Sequence, residues 1–243
     1  MHLELASGTP AFVARAADAD HGLVVIPDIW GLRPLFEDMC TELSLRTGWS
    51  VISFEPFPGQ TLAGADSPDG FAERSAALGA LADTDLLADA VAAADAVVAV
   101  EESVAPTGGD GPPSVGLIGF CMGGMYAYKA AATGRFDRIV GFYGMIHVPD
   151  DWAGAGQAQP LDAVRNRGRT EVMGICGTID PYTPPDAIDE LEAAGATVVR
   201  YDGADHGFVH DPARPTHRAE DAADAWDRAL GFLREGPVRD GEG

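Results

Sequence analysis

A cysteine stands at the centre of a glycine frame in the middle of the chain. Residues 116–124 read Gly-Leu-Ile-Gly-Phe-Cys-Met-Gly-Gly, so that Gly119 and Gly123 lie two positions before and after Cys121. Where a buried strand turns sharply into a helix, the central residue takes a strained backbone conformation and these neighbours must be nearly free of side chain. The pattern predicts an exposed nucleophilic thiol at Cys121, with the helix N-terminus favouring the thiolate. The competing interpretation is a buried core cysteine beside a glycine-rich turn.

A nucleophilic thiol also needs an acid and a base, and candidates for both follow it along the chain. The strand-like run 170–176 leads into Gly-Thr-Ile-Asp-Pro, which makes Asp180 the expected acid. The next β-rich run, 196–201, leads into a turn-rich loop that carries His206, the expected base. Such triads are known to occur in the chain order nucleophile, acid, histidine, with each residue after its own strand. The His206 imidazole would take the thiol proton and later protonate the leaving group, while Asp180 fixes its tautomer.

Other residues of the same types have simpler explanations. Asp202 and Asp205, like Asp180, lie in stretches where aspartate is an ordinary turn former. Asp205 is disfavoured as the acid, because a residue adjacent to the histidine in an extended loop tends to point away from its ring. Cys40, in a predicted helix, and Cys176, in a predicted central strand, are expected to fill the core. The remaining histidines lack the strand-then-loop setting and are expected to be surface or satisfied polar residues: His2, His21, His147, His210 and His217.

An oxyanion formed during acyl transfer needs two N–H donors. The residue after the nucleophile, Met122, is expected to supply one. The loop 28–31, which follows the β-type run 22–27, is expected to supply the other, through Ile29. The alternative for this loop is a simple connection between a strand and a helix.

Taken together, these motifs resemble the dienelactone hydrolase family of α/β-hydrolases. The features of that family are a G-x-C-x-G-G frame, a Tyr-Gly pair after the following strand, an aspartate after the next strand and an H-x-F motif before the final helix. Each piece alone is weak, but the set is specific and the match runs over nearly the whole chain, from about residue 22 to 233. Here the features stand as Gly119 to Gly124, Tyr143-Gly144, Asp180 and His206-Gly207-Phe208.

The resemblance implies a Cys-His-Asp triad formed by Cys121, His206 and Asp180, acting without a cofactor. In the family, a glutamate in the early loop contacts the resting thiol and helps to deprotonate it when substrate arrives. Asp28 matches that position, one methylene shorter, and is the expected acid in contact with the thiol.

The substrate of the family type carries a carboxylate, which two arginines are expected to hold. One follows an early strand and the other lies four residues beyond the catalytic histidine. Here the first region, 55–60, reads Glu-Pro-Phe-Pro-Gly-Gln, and the second position is His210. A carboxylate without these partners loses charge-assisted hydrogen bonds, and the acidic protein opposes it further. We therefore expect a neutral small ester or lactone to be preferred, unless Arg33, Arg74 or Arg214 supplies an anion site from another loop.

Composition limits the class of protein. A chain of 243 residues with 46% hydrophobic content can bury one large core, so we expect a single domain over residues 1–243. The net charge of −22, from 16 basic and 38 acidic residues, argues against nucleic acid or anionic membranes as partners. No signal peptide or membrane-spanning run is expected, and three cysteines do not make a disulfide framework, which together favour the cytoplasm. No His/Cys spacing suggests a metal site, and the oligomeric state stays open.

Runs of β type alternate with helical runs, the pattern of a mainly parallel sheet covered on both faces. With the resemblance, the expected fold class is α/β, an α/β-hydrolase fold with about seven or eight strands. Helical patterns cover 33–47, 71–102, 122–133, 185–194 and 215–234, and the second is long enough for two helices with a break near Thr84. Residues 105–113 are predicted to form a loop before the glycine frame.

The function that these observations favour is cleavage of a small ester or lactone through an acyl-thioenzyme. Two other classes remain open. A thiol-based redox sensor could use the same activated Cys121 without turnover. A non-catalytic binding protein on the same fold is disfavoured, because all three triad positions are filled.

Overall fold

Eight strands form one mixed sheet in the computed structural model, which describes residues 1–17, 19–64, 67–99 and 114–235. Across the sheet their order is β1-β2-β4-β3-β5-β6-β7-β8. The pairs β1/β2 and β2/β4 are antiparallel, whereas all other neighbours are parallel. This topology confirms the expected fold class. The strands are β1 (His2–Glu4), β2 (Pro10–Ala14), β3 (His21–Ile26), β4 (Ser50–Phe54), β5 (Ser114–Phe120), β6 (Arg138–Phe142), β7 (Glu171–Gly177) and β8 (Thr197–Tyr201).

Helices cover both faces of the sheet, which is why the central strands are apolar on both sides. In β3, Leu23 and Val25 pack in the core cluster that includes α1 and α7, whereas Val24 and Ile26 pack in the cluster that includes α3 to α6. All four side chains are fully buried. The helices are α1 (Pro34–Thr47), α2 (Gly70–Ala80), α3 (Asp83–Ala99), α4 (Met122–Ala130), α5 (Pro160–Arg165), α6 (Pro185–Ala193) and α7 (Ala219–Arg234).

The helices differ from the sequence prediction in some of their bounds and in their number. The break in the long second pattern falls at residues 81–82, two to three positions before Thr84, because Leu81 turns to extended backbone with ψ 136°. Helix α5, with six residues, is too short to reveal an apolar period and was not predicted. Helix α7 begins four residues after Pro215, since turn hydrogen bonds occupy the preceding segment. The predicted loop at 105–113 lies outside the described residues.

The single lysine of the chain joins the helix after the glycine frame to the α2–α3 region. Lys129, in α4, is 3% exposed. Its Nζ donates to Asp83 Oδ1 at 2.7 Å and to Gln157 Oε1, and lies 4.7 Å from the centre of the Tyr126 ring. The charge of Lys129 is therefore compensated where it lies buried.

Because β3 and β5 to β8 run parallel, their carboxyl ends meet at one edge of the sheet. Register pairs Ile26 with Gly119, Phe120 with Phe142, and Gly177 with Tyr201. The loops that follow these strands therefore converge, as ligand-binding loops do in open α/β sheets. Among the described residues, no helix is long and apolar enough to cross a membrane.

Candidate active site

Cys121 lies at the sharp turn between β5 and α4, with φ 56° and ψ −117°. A positive φ is strained for a residue with a side chain, and here hydrogen bonds on both sides hold it. The Cys121 N–H donates to Phe142 O at 3.1 Å, and its carbonyl accepts from Met125 N at 3.0 Å. Two glycines make room: a Cβ on Gly119 would lie 2.0 Å from Gly123 O, and one on Gly123 would lie 2.2 Å from the carbonyl oxygen of Ile26. The sequence motif thus folds into the predicted elbow geometry.

The structure brings His206 and Asp180 together. Asp180 follows β7, His206 follows β8, and His206 Nδ1 lies 2.8 Å from Asp180 Oδ2. The other carboxylate oxygen of Asp180 accepts the Tyr182 N–H at 2.8 Å, so that both oxygens are engaged. Both residues are buried, with Asp180 3% and His206 8% exposed. An ionised Asp180 in this position favours the imidazole tautomer with its proton on Nδ1.

The second ring nitrogen of His206 is left available. Nε2 is buried and has no hydrogen-bond partner among the described residues. Burial alone lowers the pKa of His206, but the charge of Cys121 and the hydrogen bond with Asp180 outweigh it and raise the pKa to about 10. An imidazole nitrogen in the same cavity as a partly exposed thiol can act as a base toward that thiol.

The other two cysteines lie in the core. Cys40 and Cys176 are fully buried, whereas Cys121 is partly exposed. Burial raises the pKa of the Cys40 thiol, and it raises the pKa of Cys176 to about 12. Both thiols therefore stay protonated near neutral pH, in line with the structural role predicted for them.

The two predicted oxyanion donors lie in separate backbone segments. Met122 is the first residue of α4, and the N–H groups of a first helical turn have no acceptor within the helix. Ile29 lies in the turn after β3 and lines the same cavity as Cys121. The Ile29 carbonyl accepts from Arg74 Nη1 at 3.1 Å, which holds this turn in place.

Asp28 is engaged by donors other than the thiol. Its Oδ1 accepts from Trp30 N at 3.0 Å and from Arg33 Nη1 at 2.7 Å. Its Oδ2 accepts from Arg33 Nη2 at 3.0 Å and from His210 Nε2 at 2.9 Å. Burial by itself raises the pKa of Asp28, but the hydrogen bonds from His210 and Arg33 hold it well below its usual range. To contact Cys121, as the resemblance led us to expect, this carboxylate would have to leave those donors.

His210 is a part of the site that the sequence did not reveal. Of the two alternatives expected for it, surface or satisfied polar residue, it is the second: it is buried and bridges Asp28, on Nε2, to the Tyr143 hydroxyl, on Nδ1. Burial lowers the pKa of His210 and so favours the neutral ring, which donates to Asp28 and accepts from Tyr143. Tyr143 itself has a positive φ of 39°, and its ring packs edge-on against His206 at 5.2 Å. The four-residue spacing from His206 was the one available signal for His210.

A cavity of about 130 Å³ is lined by both Cys121 and His206. Two larger clefts, of about 420 and 430 Å³, contain neither Cys121 nor His206. The small cavity is the one that matters for chemistry, since it holds the exposed thiol and the free histidine nitrogen. It is lined by Asp28, Ile29, Trp30, Phe71, Cys121, Met145, Trp152, Tyr182, His206 and Arg214.

The three arginines that could supply an anion site differ in their availability. Arg33 forms the two-pronged pair with Asp28. Arg74 donates to two backbone carbonyls, those of Ile29 and Ala63, at 3.1 and 3.0 Å. Arg214 lines the cavity, is half-buried, and has no side-chain hydrogen bond or ion pair within the described part of the chain. The Arg214 guanidinium packs over Gly207, the residue after His206.

Comparison with known proteins identifies a family and individual sequences that are similar to this chain. The sequence model of the dienelactone hydrolase family matches residues 9–236. A carboxymethylenebutenolidase of Rhodococcus opacus is 28% identical over 218 residues, which cover 87% of this chain and 79% of that protein. A Synechocystis protein provisionally named a carboxymethylenebutenolidase is 35% identical over 123 residues, 48% of either chain.

A solved structure is similar over nearly its full length. The crystal structure of a Klebsiella pneumoniae protein, provisionally named a dienelactone hydrolase, has a TM-score of 0.74 and 27% sequence identity, and the match covers 94% of this chain and 93% of that one. Four of the curated matches are shorter: the chain spans about half the length of those relatives, between 42% and 50%.

Proposed function

The chain belongs to the dienelactone hydrolase family, and from that premise we propose that it hydrolyses a small ester or lactone, with Cys121 as nucleophile, His206 as base and Asp180 as the acid that orients it. One observation carries the proposal: a partly exposed cysteine at a strained turn shares a small cavity with a histidine whose far nitrogen is bound to a buried aspartate. Nucleophilic catalysis needs this combination of an accessible thiol and an oriented base.

In the first half of the reaction, the Cys121 thiol gives its proton to His206 Nε2, the sulfur attacks the carbonyl carbon, and the carbonyl π electrons move onto oxygen. The N–H groups of Met122 and Ile29 are the proposed donors to that oxyanion. As the tetrahedral intermediate collapses, the C–O bond breaks and the His206 imidazolium gives its Nε2 proton to the leaving oxygen. The products are an alcohol, or the ring-opened hydroxyl of a lactone, and a thioester on Cys121.

In the second half, neutral His206 takes a proton from water, and the hydroxide formed attacks the thioester carbonyl. Collapse expels the Cys121 thiolate and releases the carboxylic acid, which restores the thiolate–imidazolium pair. Asp180 keeps the same ring orientation through both halves, because its carboxylate holds Nδ1 while Nε2 gives and accepts the proton.

We infer that Arg214 holds an anionic group when the substrate carries one. The name of the Rhodococcus relative denotes a butenolide with a carboxymethylene substituent. Arg33 and Arg74 are engaged elsewhere, while Arg214 lines the cavity and its side chain has no hydrogen bond or ion pair among the described residues. In a chain of net charge −22 a carboxylate is otherwise repelled, so a guanidinium at this position would decide whether such a substrate binds.

For Asp28 we propose a supporting role. Its four donor contacts hold the turn that carries Ile29 and keep the carboxylate ionised at the cavity wall. A direct contact with the thiol would need the His210 and Arg33 contacts to break first.

The test is a screen of activated esters and lactones with the wild-type protein and Cys121→Ala side by side. We expect Cys121-dependent turnover with a transient thioester, detectable as an acyl mass on the peptide that contains Cys121. A redox sensor would show peroxide-sensitive Cys121 without turnover, and a binding protein would show neither property. Turnover that persists in Cys121→Ala would contradict the proposed nucleophile.

A further inference from the structure

The cavity at Cys121 is too small for more than part of an ordinary ester. Its volume is about 130 Å³, and an apolar cavity of about 150 Å³ holds one benzene molecule. One small ring or a short acyl chain therefore fills it. Any larger substituent on the reacting carbonyl or on its oxygen has to leave through the mouth, where residues on the rim decide what is tolerated.

Two exposed aromatic rings stand on that rim. Phe71, in α2, and Tyr182, in the loop after β7, both line the cavity, and each is 46% exposed. Among the described residues only three other large hydrophobic side chains are exposed, Met1, Leu45 and Ile179. Exposed apolar groups gathered at one place on a protein usually mark a binding surface.

Neither ring is loosely held. The Tyr182 ring packs edge-on against His206 at 4.8 Å, and the Phe71 ring lies 6.4 Å from that of Trp30, over which Arg74 is stacked. Half-exposed rings that already lie beside another ring can bind a flat group with a smaller loss of side-chain entropy than fully free ones.

We propose that Phe71 and Tyr182 determine specificity by binding a flat apolar substituent, an aryl group above all, that projects from the cavity while the reacting carbonyl lies at Cys121; this rests on the proposed hydrolysis. The smaller part of the substrate fills the cavity between Met145, Trp152 and Ile29. Aryl esters of short acids have this shape.

The test compares two acetates with similar leaving groups, phenyl acetate and naphthyl acetate, and follows the ratio of their kcat/KM values. The naphthyl group offers the rim a second flat ring, which the phenyl group lacks. We expect the wild-type ratio to favour naphthyl acetate, and Phe71→Ser to lower it about 3- to 10-fold, through KM rather than kcat. Phe71→Trp should keep the ratio, and Leu45→Ser, which removes an exposed hydrophobic residue outside the cavity lining, should not change it.

A ratio that is the same in wild type and Phe71→Ser would overturn the proposal. Phe71 is the position to change, since Tyr182 also contacts His206. Binding separates this outcome from a failure of the hydrolysis itself: on Cys121→Ala, methyl naphthyl ketone should bind more tightly than methyl phenyl ketone, and Phe71→Ser should remove the difference. If that preference is found without any ester turnover, the proposed role of the rim in binding is supported and the proposed hydrolysis is refuted. If the two ketones bind equally, the rim has no such role.

Discussion

Asp180 and His206 meet across 26 positions of sequence, with Asp180 Oδ2 at 2.8 Å from His206 Nδ1. The aspartate directly before the histidine does not reach the ring: Asp205 Oδ1 accepts the backbone N–H of His206 at 2.7 Å instead. Two carboxylates near one histidine therefore have different tasks. One orients the imidazole, and the other holds the loop.

Asp180→Asn should lower kcat for an activated neutral ester by about 10²- to 10⁴-fold, by analogy with serine triads. A neutral amide lacks the charge with which the carboxylate stabilises the imidazolium, and its NH₂ group can favour the wrong tautomer of the ring. Asp205→Asn is the matched control and should keep most of the activity. Steady-state kinetics on both variants, with circular dichroism as the check on folding, measure this, and the reverse ranking would move the acid to Asp205.

The pH dependence of activity should reveal the interaction between Asp180 and His206. Since the pKa of His206 is raised to about 10 by Cys121 and Asp180, the imidazolium that protonates the leaving group persists well above neutral pH. Activity should therefore decline on the alkaline side only as the pH approaches that value. In Asp180→Asn the imidazolium is less stable, so the alkaline limb of kcat/KM should move to lower pH. An alkaline limb that does not move would show that Asp180 leaves the His206 proton unaffected.

Cys121 should react with iodoacetamide at neutral pH well before Cys40 and Cys176. It is the only cysteine of the three with an exposed side chain, and burial raises the pKa of both others. Peptide mapping after partial alkylation measures the order of labelling. Cys121→Ser should remove the fast phase, and Cys40→Ala should leave it. Early labelling of Cys40 or Cys176 would contradict the assignment.

Arg214→Gln should lower kcat/KM for an ester that carries a carboxylate about 10- to 100-fold, because a charge-assisted contact is lost. An aryl hemisuccinate and the aryl butyrate of the same phenol provide a charged and a neutral substrate of similar shape. Only the charged one should be affected. Arg218→Gln removes the same charge from a side chain that pairs with Asp221 outside the cavity lining, and equal losses in both variants would reveal a general field effect.

Asp28→Ala should destabilise the fold by about 3 kcal/mol, the lower end for a broken buried pair, since the Arg33 side chain is 26% exposed. Asp227→Ala, at an exposed pair with Arg46, should cost at most about 1 kcal/mol. Because the pKa of Asp28 is held low, its contribution is present near neutral pH and is lost as the pH falls below about 4. Urea unfolding at neutral and acidic pH measures both effects, and equal losses in the two variants would refute the buried role.

Sequence patterns were sufficient for the sheet and for the elbow. The steric limits at a strand-to-helix turn are local. Gly119 and Gly123 therefore predict the backbone geometry at Cys121 without any knowledge of long-range contacts. The positions of Asp180 and His206 follow in the same way, because parallel strands bring successive loops to one edge. What was predicted there depends on spacing along the chain alone.

Long-range hydrogen bonding could not be predicted in the same way. His210 and Asp28 are 182 positions apart, and nothing in the residues around either one announces the other. Likewise, the sequence alone does not distinguish between the arginines at Arg33, Arg74 and Arg214. They differ only in which acceptors the fold puts beside them.

The buried position of Lys129 has a practical consequence for handling the protein. With no second lysine in the chain and this one 3% exposed, amine-directed dyes and cross-linkers meet no side-chain amine on the folded surface. Modification of Lys129 instead requires α4 to separate from Asp83 and Gln157. The rate at which an acylating label modifies Lys129 would thus measure how often α4, the helix that follows Cys121, opens.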